Sequence, residues 1–258
     1  MSSPLTADQL DALREQGFVV ARAFAPAVLC DTLRALALRH LEQAVAPVEY
    51  EADLAYPGAP PSRQAAGGAT VRRLLDAYAR DPAFADWAAA PAVAASLQSY
   101  FGEAVILSRA HHNCVMTKHP RFGSLTGWHR DIRYWSFDRE ELVSTWLALG
   151  RETNHNGGLW LVPGSHRMDL PADRFDAAQF LREDVPENAA LIGTAVSPVL
   201  EPGDVLFFHC RTLHAASRNH GEQVKLSVVH TYHGAGTHPR PGTRSASKPE
   251  VPVSLATG

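Results

Sequence analysis

The chain has 258 residues, 45% of them hydrophobic and 20% charged, enough apolar material for a substantial core and in keeping with one elaborated domain. A net charge of −3 gives no global basic field to recruit nucleic acid or an anionic membrane. Three cysteines, Cys30, Cys114 and Cys210, form no CxxC pair, which argues against a disulfide framework or a cysteine-zinc site and favours a reducing compartment.

The opening stretch "MSSPLTADQLDALREQG" carries acidic residues and lacks an apolar run, so neither a signal peptide nor a membrane span is expected and the reading is cytoplasmic. Thr6 and Gln9 have capping-box spacing, Leu10 and Leu13 share a helical stripe, and Gly17 is a natural stop. A short strand, "FVVARAF", follows. Pro26 to Val45 carries helical apolar spacing, and Asp81 to Tyr100 reads as a helical pair broken near Pro91. Between them lies "AYPGAPPSRQAAGGA", residues 55–69, a loop and a candidate lid. Residues 1–103 are thus expected to be mainly helical support.

From residue 104 the texture changes to short β-like runs separated by Gly, Pro and Asn, including "LVSTWLALG", "DVLFFHC" and "KLSVVHTYH". Strands at this spacing imply an antiparallel sandwich or barrel over 104–233. The single domain is expected to span 1–233, with a flexible tail over 234–258, where little is available to bury.

The chemistry centres on "GWHRDIRYW". In a strand, His129 and Asp131 share one face while Arg130 points away. One imidazole and one carboxylate under-coordinate a divalent ion, and the missing ligand is sought at the end of a later strand, in "EPGDVLFFHCRTLHAASRNH", where His209 and His214 both qualify. Two histidines and a carboxylate form the facial triad of non-haem Fe(II) oxygenases, whose open positions take a 2-oxo acid and dioxygen. Zinc accepts the same ligands, which leaves a hydrolase or isomerase open as well.

Four stretches together resemble the phytanoyl-CoA dioxygenase family of Fe(II)- and 2-oxoglutarate-dependent oxygenases: "LTADQLDALREQGFVVARAF", "KHPRFGSLTGWHRDIRYW", "NGGLWLVPGSHR" and "EPGDVLFFHCRTLHAASRN" occur in the family's order across nearly the whole chain. The resemblance implies a mainly β fold with N-terminal helices, a double-stranded β-helix of the jelly-roll, cupin-like type. It implies His129, Asp131 and His214 as iron ligands, with His214 preferred over His209. It implies hydroxylation of a small molecule with release of succinate and CO2.

The family's arginine for the distal carboxylate of 2-oxoglutarate is replaced here by Lys225, a point charge in place of a bidentate fork. Ser227, on the same strand face, is expected to add a hydroxyl donor, with Arg218 the nearest arginine. Trp146 falls where the family packs an aromatic near the co-substrate. Arg133, Tyr134, Trp135 and Lys118 flank the ligands and are candidates for shaping the substrate pocket. The departure at Lys225 also supports a rival reading, a barrel that binds a ligand or metal without oxygen chemistry.

Overall fold

The structure is a computed structural model that describes residues 2–54, 56 and 59–253. Helix α1, Ala7–Gln16, has its full capping box, with Thr6 accepting from the Gln9 amide and Gln9 closing back on Thr6; Gly17 ends it at φ 80°. Strand β1 is Phe18–Ala21 and helix α2 is Ala27–Glu42. The later helices are α3 (Ala77–Arg80), α4 (Pro82–Ala88), α5 (Pro91–Phe101) and α6 (Pro186–Ile192). Prolines open α4 and α5, where their missing N–H groups cost nothing, so the expected break at Pro91 is a fresh helix start.

The remaining strands are β2 (Val48–Tyr50), β3 (Val71–Leu75), β4 (Val105–Ser108), β5 (Cys114–Lys118), β6 (Thr126–His129), β7 (Leu142–Ala148), β8 (Leu159–Leu161), β9 (Val205–His209), β10 (His214–Ala216), β11 (Lys225–Gly234) and β12 (Val251–Val253). The major sheet runs β1-β9-β7-β11-β5-β3-β2, with β4 between β11 and β12; the minor sheet is β6-β10-β8, and every pairing is antiparallel. The two sheets close as the jelly roll of a double-stranded β-helix.

Period-two alternation divides the core between the two faces of the major sheet. Val143 and Leu147 on β7, Val205 and Phe207 on β9, and Leu226, Val228 and Tyr232 on β11 pack with the helices in the principal core. Their alternates Trp146, Ala148, Leu206, Phe208 and Val229 fill the space between the sheets with Leu159 and Leu161 of β8. Both faces are covered, which is why these strands read as nearly continuous apolar runs.

Two expectations change. The first hundred residues are not only helical support, because β1, β2 and β3 extend the major sheet on both sides. The segment after Gly234 is not a free tail up to Val253: β12 pairs with β4, and Val253 is buried in the principal core. Its polar, proline-rich approach hid a three-residue strand whose energy comes from edge pairing and one buried valine. Residues 254–258 lie outside the described residues, as do Ala55, Pro57 and Gly58 of the candidate lid. No helix among the described residues is long and apolar enough to cross a membrane.

Candidate metal centre

Strands β6 and β10 lie side by side with His129 directly opposite His214, their ring centroids 4.3 Å apart. Asp131 is not on the strand, as the i, i+2 argument supposed: β6 ends at His129, and residues 131–134 form a 3-10 turn anchored by the Ile132 amide on the Cys210 carbonyl. The outcome for Arg130 is nonetheless the expected one, since its guanidinium turns away to the carbonyls of Ser165 and Met168.

The orientation of each ligand is fixed from behind. His129 Nδ1 lies 2.8 Å from the Gly127 carbonyl, and His214 Nδ1 lies 2.9 Å from that of Thr212. A carbonyl oxygen only accepts, so each Nδ1 carries its proton and each Nε2 presents a lone pair. Both Nε2 atoms sit 3.5 Å from Asp131 Oδ1, too far for a good hydrogen bond and right for flanking a common ion. Neither carboxylate oxygen of this fully buried aspartate has a hydrogen-bond partner among the described residues. Two orphaned anionic oxygens beside two aimed lone pairs form a donor set that a divalent cation satisfies.

Asp131 couples the electrostatics of the three groups: burial opposes charge on His214, but the Asp131 carboxylate beside it raises that imidazole above its ordinary value. Burial opposes charge on Asp131, yet the neighbouring imidazoles of His112 and His214 hold its carboxyl well below the usual range. Burial, followed by the nearby His214, pushes His129 down to about 4, so its imidazole is neutral at neutral pH, the form that binds metal.

The triad opens on a cavity bounded by Met116, Leu159, Phe208, Trp146 and Tyr134 and by four basic side chains, Arg72, Arg73, Lys118 and Lys225. Its walls, apolar with a few converging polar groups, suit a small organic molecule. Tyr56, in the 55–69 loop, joins its hydroxyl to that of Tyr134 at 2.7 Å and lies under Arg72, whose guanidinium is 4.7 Å from the Tyr56 ring centroid.

Of the residues singled out from sequence, Lys118, Trp146, Tyr134 and Lys225 line this cavity together with the triad. Arg133 does not, because its guanidinium stacks 4.0 Å from Phe180 along an outer groove. Trp135 packs behind the site with Phe137, Leu142 and Cys210. His209 faces the opposite way, towards Glu141 and His166, and Arg218 is exposed on a separate groove.

Lys225 and Ser227 converge, but on a protein carboxylate. Lys225 Nζ donates to Glu152 Oε2 at 2.9 Å and to Ser227 Oγ at 3.0 Å, Ser227 Oγ donates to Glu152 Oε1 at 2.6 Å, and Trp146 Nε1 reaches both Glu152 oxygens. Lys225 also lies 4.8 Å from the Trp146 ring centroid. Sequence reasoning missed Glu152, along with Arg72 and His112. His112 places Nε2 3.4 Å from Asp131 Oδ1, and its backbone is held at φ 45°, a left-handed conformation uncommon outside glycine. Nothing local distinguished it from the adjacent His111.

A family model for phytanoyl-CoA dioxygenase matches residues 13–227. The chain belongs to the phytanoyl-CoA dioxygenase family. Among curated relatives of this family member is an ectoine dioxygenase from Sphingopyxis alaskensis, 28% identical over 166 residues, which cover 58% of this chain and 53% of that protein. The match thus spans about half the relative's length. Among solved structures, EctD from S. alaskensis with 2-oxoglutarate and 5-hydroxyectoine aligns with a TM-score of 0.75 at 22% identity, covering 92% of this chain and 79% of that one. The epimerase SnoN in complex with Fe3+, alpha ketoglutarate and nogalamycin RO aligns at 0.73 and 23%, covering 92% and 86%. These likenesses establish the fold, and the neighbours' differing chemistries show that it serves more than one reaction.

Proposed function

We propose that this chain is a non-haem Fe(II)- and 2-oxoglutarate-dependent dioxygenase that hydroxylates a small-molecule substrate with release of succinate and CO2. The observation that carries the reading is the pair of Nε2 lone pairs turned onto the orphaned Asp131 carboxylate at the wall of a cationic cavity. His129, Asp131 and His214 would hold the ion on one face, leaving the cavity side for a chelating 2-oxo acid and dioxygen. The chemistry that Fe(II) supplies at such a site is dioxygen activation coupled to oxidative decarboxylation of the 2-oxo acid.

The chain's own contribution is placement. The carbonyls of Gly127 and Thr212 lock both imidazoles in the ligating tautomer, and the basic side chains of the walls offer hydrogen-bond donors to a co-substrate. Phe208, Leu159 and Met116 keep the reacting volume dry on one side, and the Tyr56–Tyr134 contact closes another. Tyr134 faces the cavity, which makes it the substrate-side residue of this reading.

One observation favours a rival, a barrel that binds ligand without oxygen chemistry: Lys225 is already paired with Glu152. Purified protein loaded anaerobically with Fe(II) and then given 2-oxoglutarate and oxygen should form succinate, and Asp131→Ala should abolish it. Absence of iron-dependent succinate, even with a broad panel of small molecules added, would favour the rival.

A further inference from the structure

The four basic side chains lining the metal cavity are not equivalent. Arg72 pairs with the buried Glu51 at 3.2 Å, Arg73 with Glu49 at 3.3 Å and Lys225 with Glu152 at 2.9 Å. Each of these three cations therefore has a carboxylate of the chain's own beside it. Lys118 has none within 4.0 Å among the described residues. Its Nζ donates to the Ser124 carbonyl at 2.8 Å, which satisfies one of an ammonium's three donors. The residue is nonetheless buried, at 7% exposure. Burial and the like charges of Arg72 and Lys225 hold its ammonium well below the usual lysine range. Charge on Lys118 is costly in such a place unless an anion arrives to share it.

The surrounding chain is shaped for this side chain. Lys118 ends β5 directly opposite Lys225 on β11, so the two amines enter the cavity at one level from adjacent strands. The Lys118 stem runs across Gly157, which sits at φ +86°; a Cβ there would lie 2.7 Å from Lys118 Cγ and 3.1 Å from its Cε. Gly157 is the first glycine of the "NGG" motif, which therefore provides room for the lysine stem as well as a turn. The Asn219 amide nitrogen, at 2.7 Å from the Lys118 carbonyl, pins the backbone end.

We infer that the distal carboxylate of the 2-oxo acid co-substrate is taken by Lys118, one strand away from the position the family pattern assigns, and that Lys225 is a structural cation neutralised by Glu152. The assignment rests on the proposed function and names the residue that gives the cavity its preference for a dicarboxylate. Lys225, Ser227, Trp146 and Glu152 form a closed polar network that shapes the cavity wall beside it.

The test compares two 2-oxo acids on anaerobic Fe(II)-loaded protein by titration calorimetry, with no primary substrate present. 2-Oxoglutarate carries the distal carboxylate, whereas pyruvate chelates through the same 2-oxo acid group and lacks it. Wild type should bind 2-oxoglutarate more tightly. Lys118→Met should weaken 2-oxoglutarate roughly tenfold to a hundredfold, the scale of a lost charge-assisted hydrogen bond, and leave pyruvate unchanged. Lys118→Gln, which keeps a donor for the Ser124 carbonyl without the charge, carries the same expectation if the methionine variant does not fold.

The double variant Lys225→Met with Glu152→Gln removes the paired charges together and should retain the preference for 2-oxoglutarate. Loss of the preference in that variant but not at Lys118 would overturn the anchor assignment and return the role to Lys225. A wild type that binds both acids equally would overturn it too. Heat from neither acid would instead defeat the proposed function and this inference with it.

Discussion

Gly157→Ala separates backbone strain from the packing of Lys118, because the chain supplies its own control. Gly102 closes α5 at φ +73° with nothing within 4 Å of the position a Cβ would take, whereas Gly157 sits at φ +86° against the Lys118 stem and the Ser217 carbonyl at 3.1 Å. Alanine in the left-handed region costs about 1–2 kcal/mol at either site, partly offset by the lower entropy of the unfolded chain. At Gly102 that is the whole effect, and for a chain of this length it should lower Tm by about 2–4 °C per kcal/mol. At Gly157 the added methyl meets Cγ, near the rigid root of the lysine, and not its mobile end. The stem must move, adding about 1–3 kcal/mol of overpacking and withdrawing Nζ from Ser124. Thermal unfolding of both variants, with 2-oxoglutarate and pyruvate titrations, checks the reasoning. Equal Tm losses in the two variants, with 2-oxoglutarate affinity unchanged in Gly157→Ala, would refute it.

Asp131→Ala and His214→Ala should each bring bound iron to well below one equivalent after anaerobic loading and desalting, measured by metal analysis, while His209→Ala should leave it near wild type, since His209 faces Glu141. Arg72→Met should cost about 3–5 kcal/mol in urea unfolding because it leaves the fully buried Glu51 without its cation, and adding Glu51→Gln should recover much of that loss. The thiols are masked: burial pushes Cys30 up to about 11 and Cys114 to about 12, and raises Cys210 as well. Iodoacetamide at pH 8 should therefore label none of them in the native protein and all three in urea. A pKa raised by folding adds stability that is complete below the unfolded thiol value near 8.5 and is lost as pH climbs through 11 to 12, so the thiol contribution to Tm should fall only on the alkaline side.

What could be read from the sequence was what short-range order determines. Thr6, Gln9 and Gly17 encode a helix with both its ends, and the alternation of Val143 to Ala148 encodes a strand with two buried faces. His129 and Asp131 could be paired because two residues of backbone hold them together whether the second sits on a strand or, as it does, on a 3-10 turn. Strands β2, β3 and β12 escaped because each is short and carries charge or proline; in β3 the two arginines that spoil the apolar pattern are cavity walls, neutralised by Glu51 and Glu49. The co-substrate anchor was hardest to place for the same physical reason. A lysine in a strand offers no local sign of whether its charge is spoken for, and that depends on which carboxylate the fold brings beside it. Glu152 lies beyond the end of β7 and reaches Lys225 only because β7 and β11 are neighbours in the major sheet. The same β11, on its other side, sets Lys118 opposite Lys225, with no acid paired to it among the described residues. A motif can name the strand on which a cation is expected, but the pairing of charges across three strands decides which cation is free to hold a ligand.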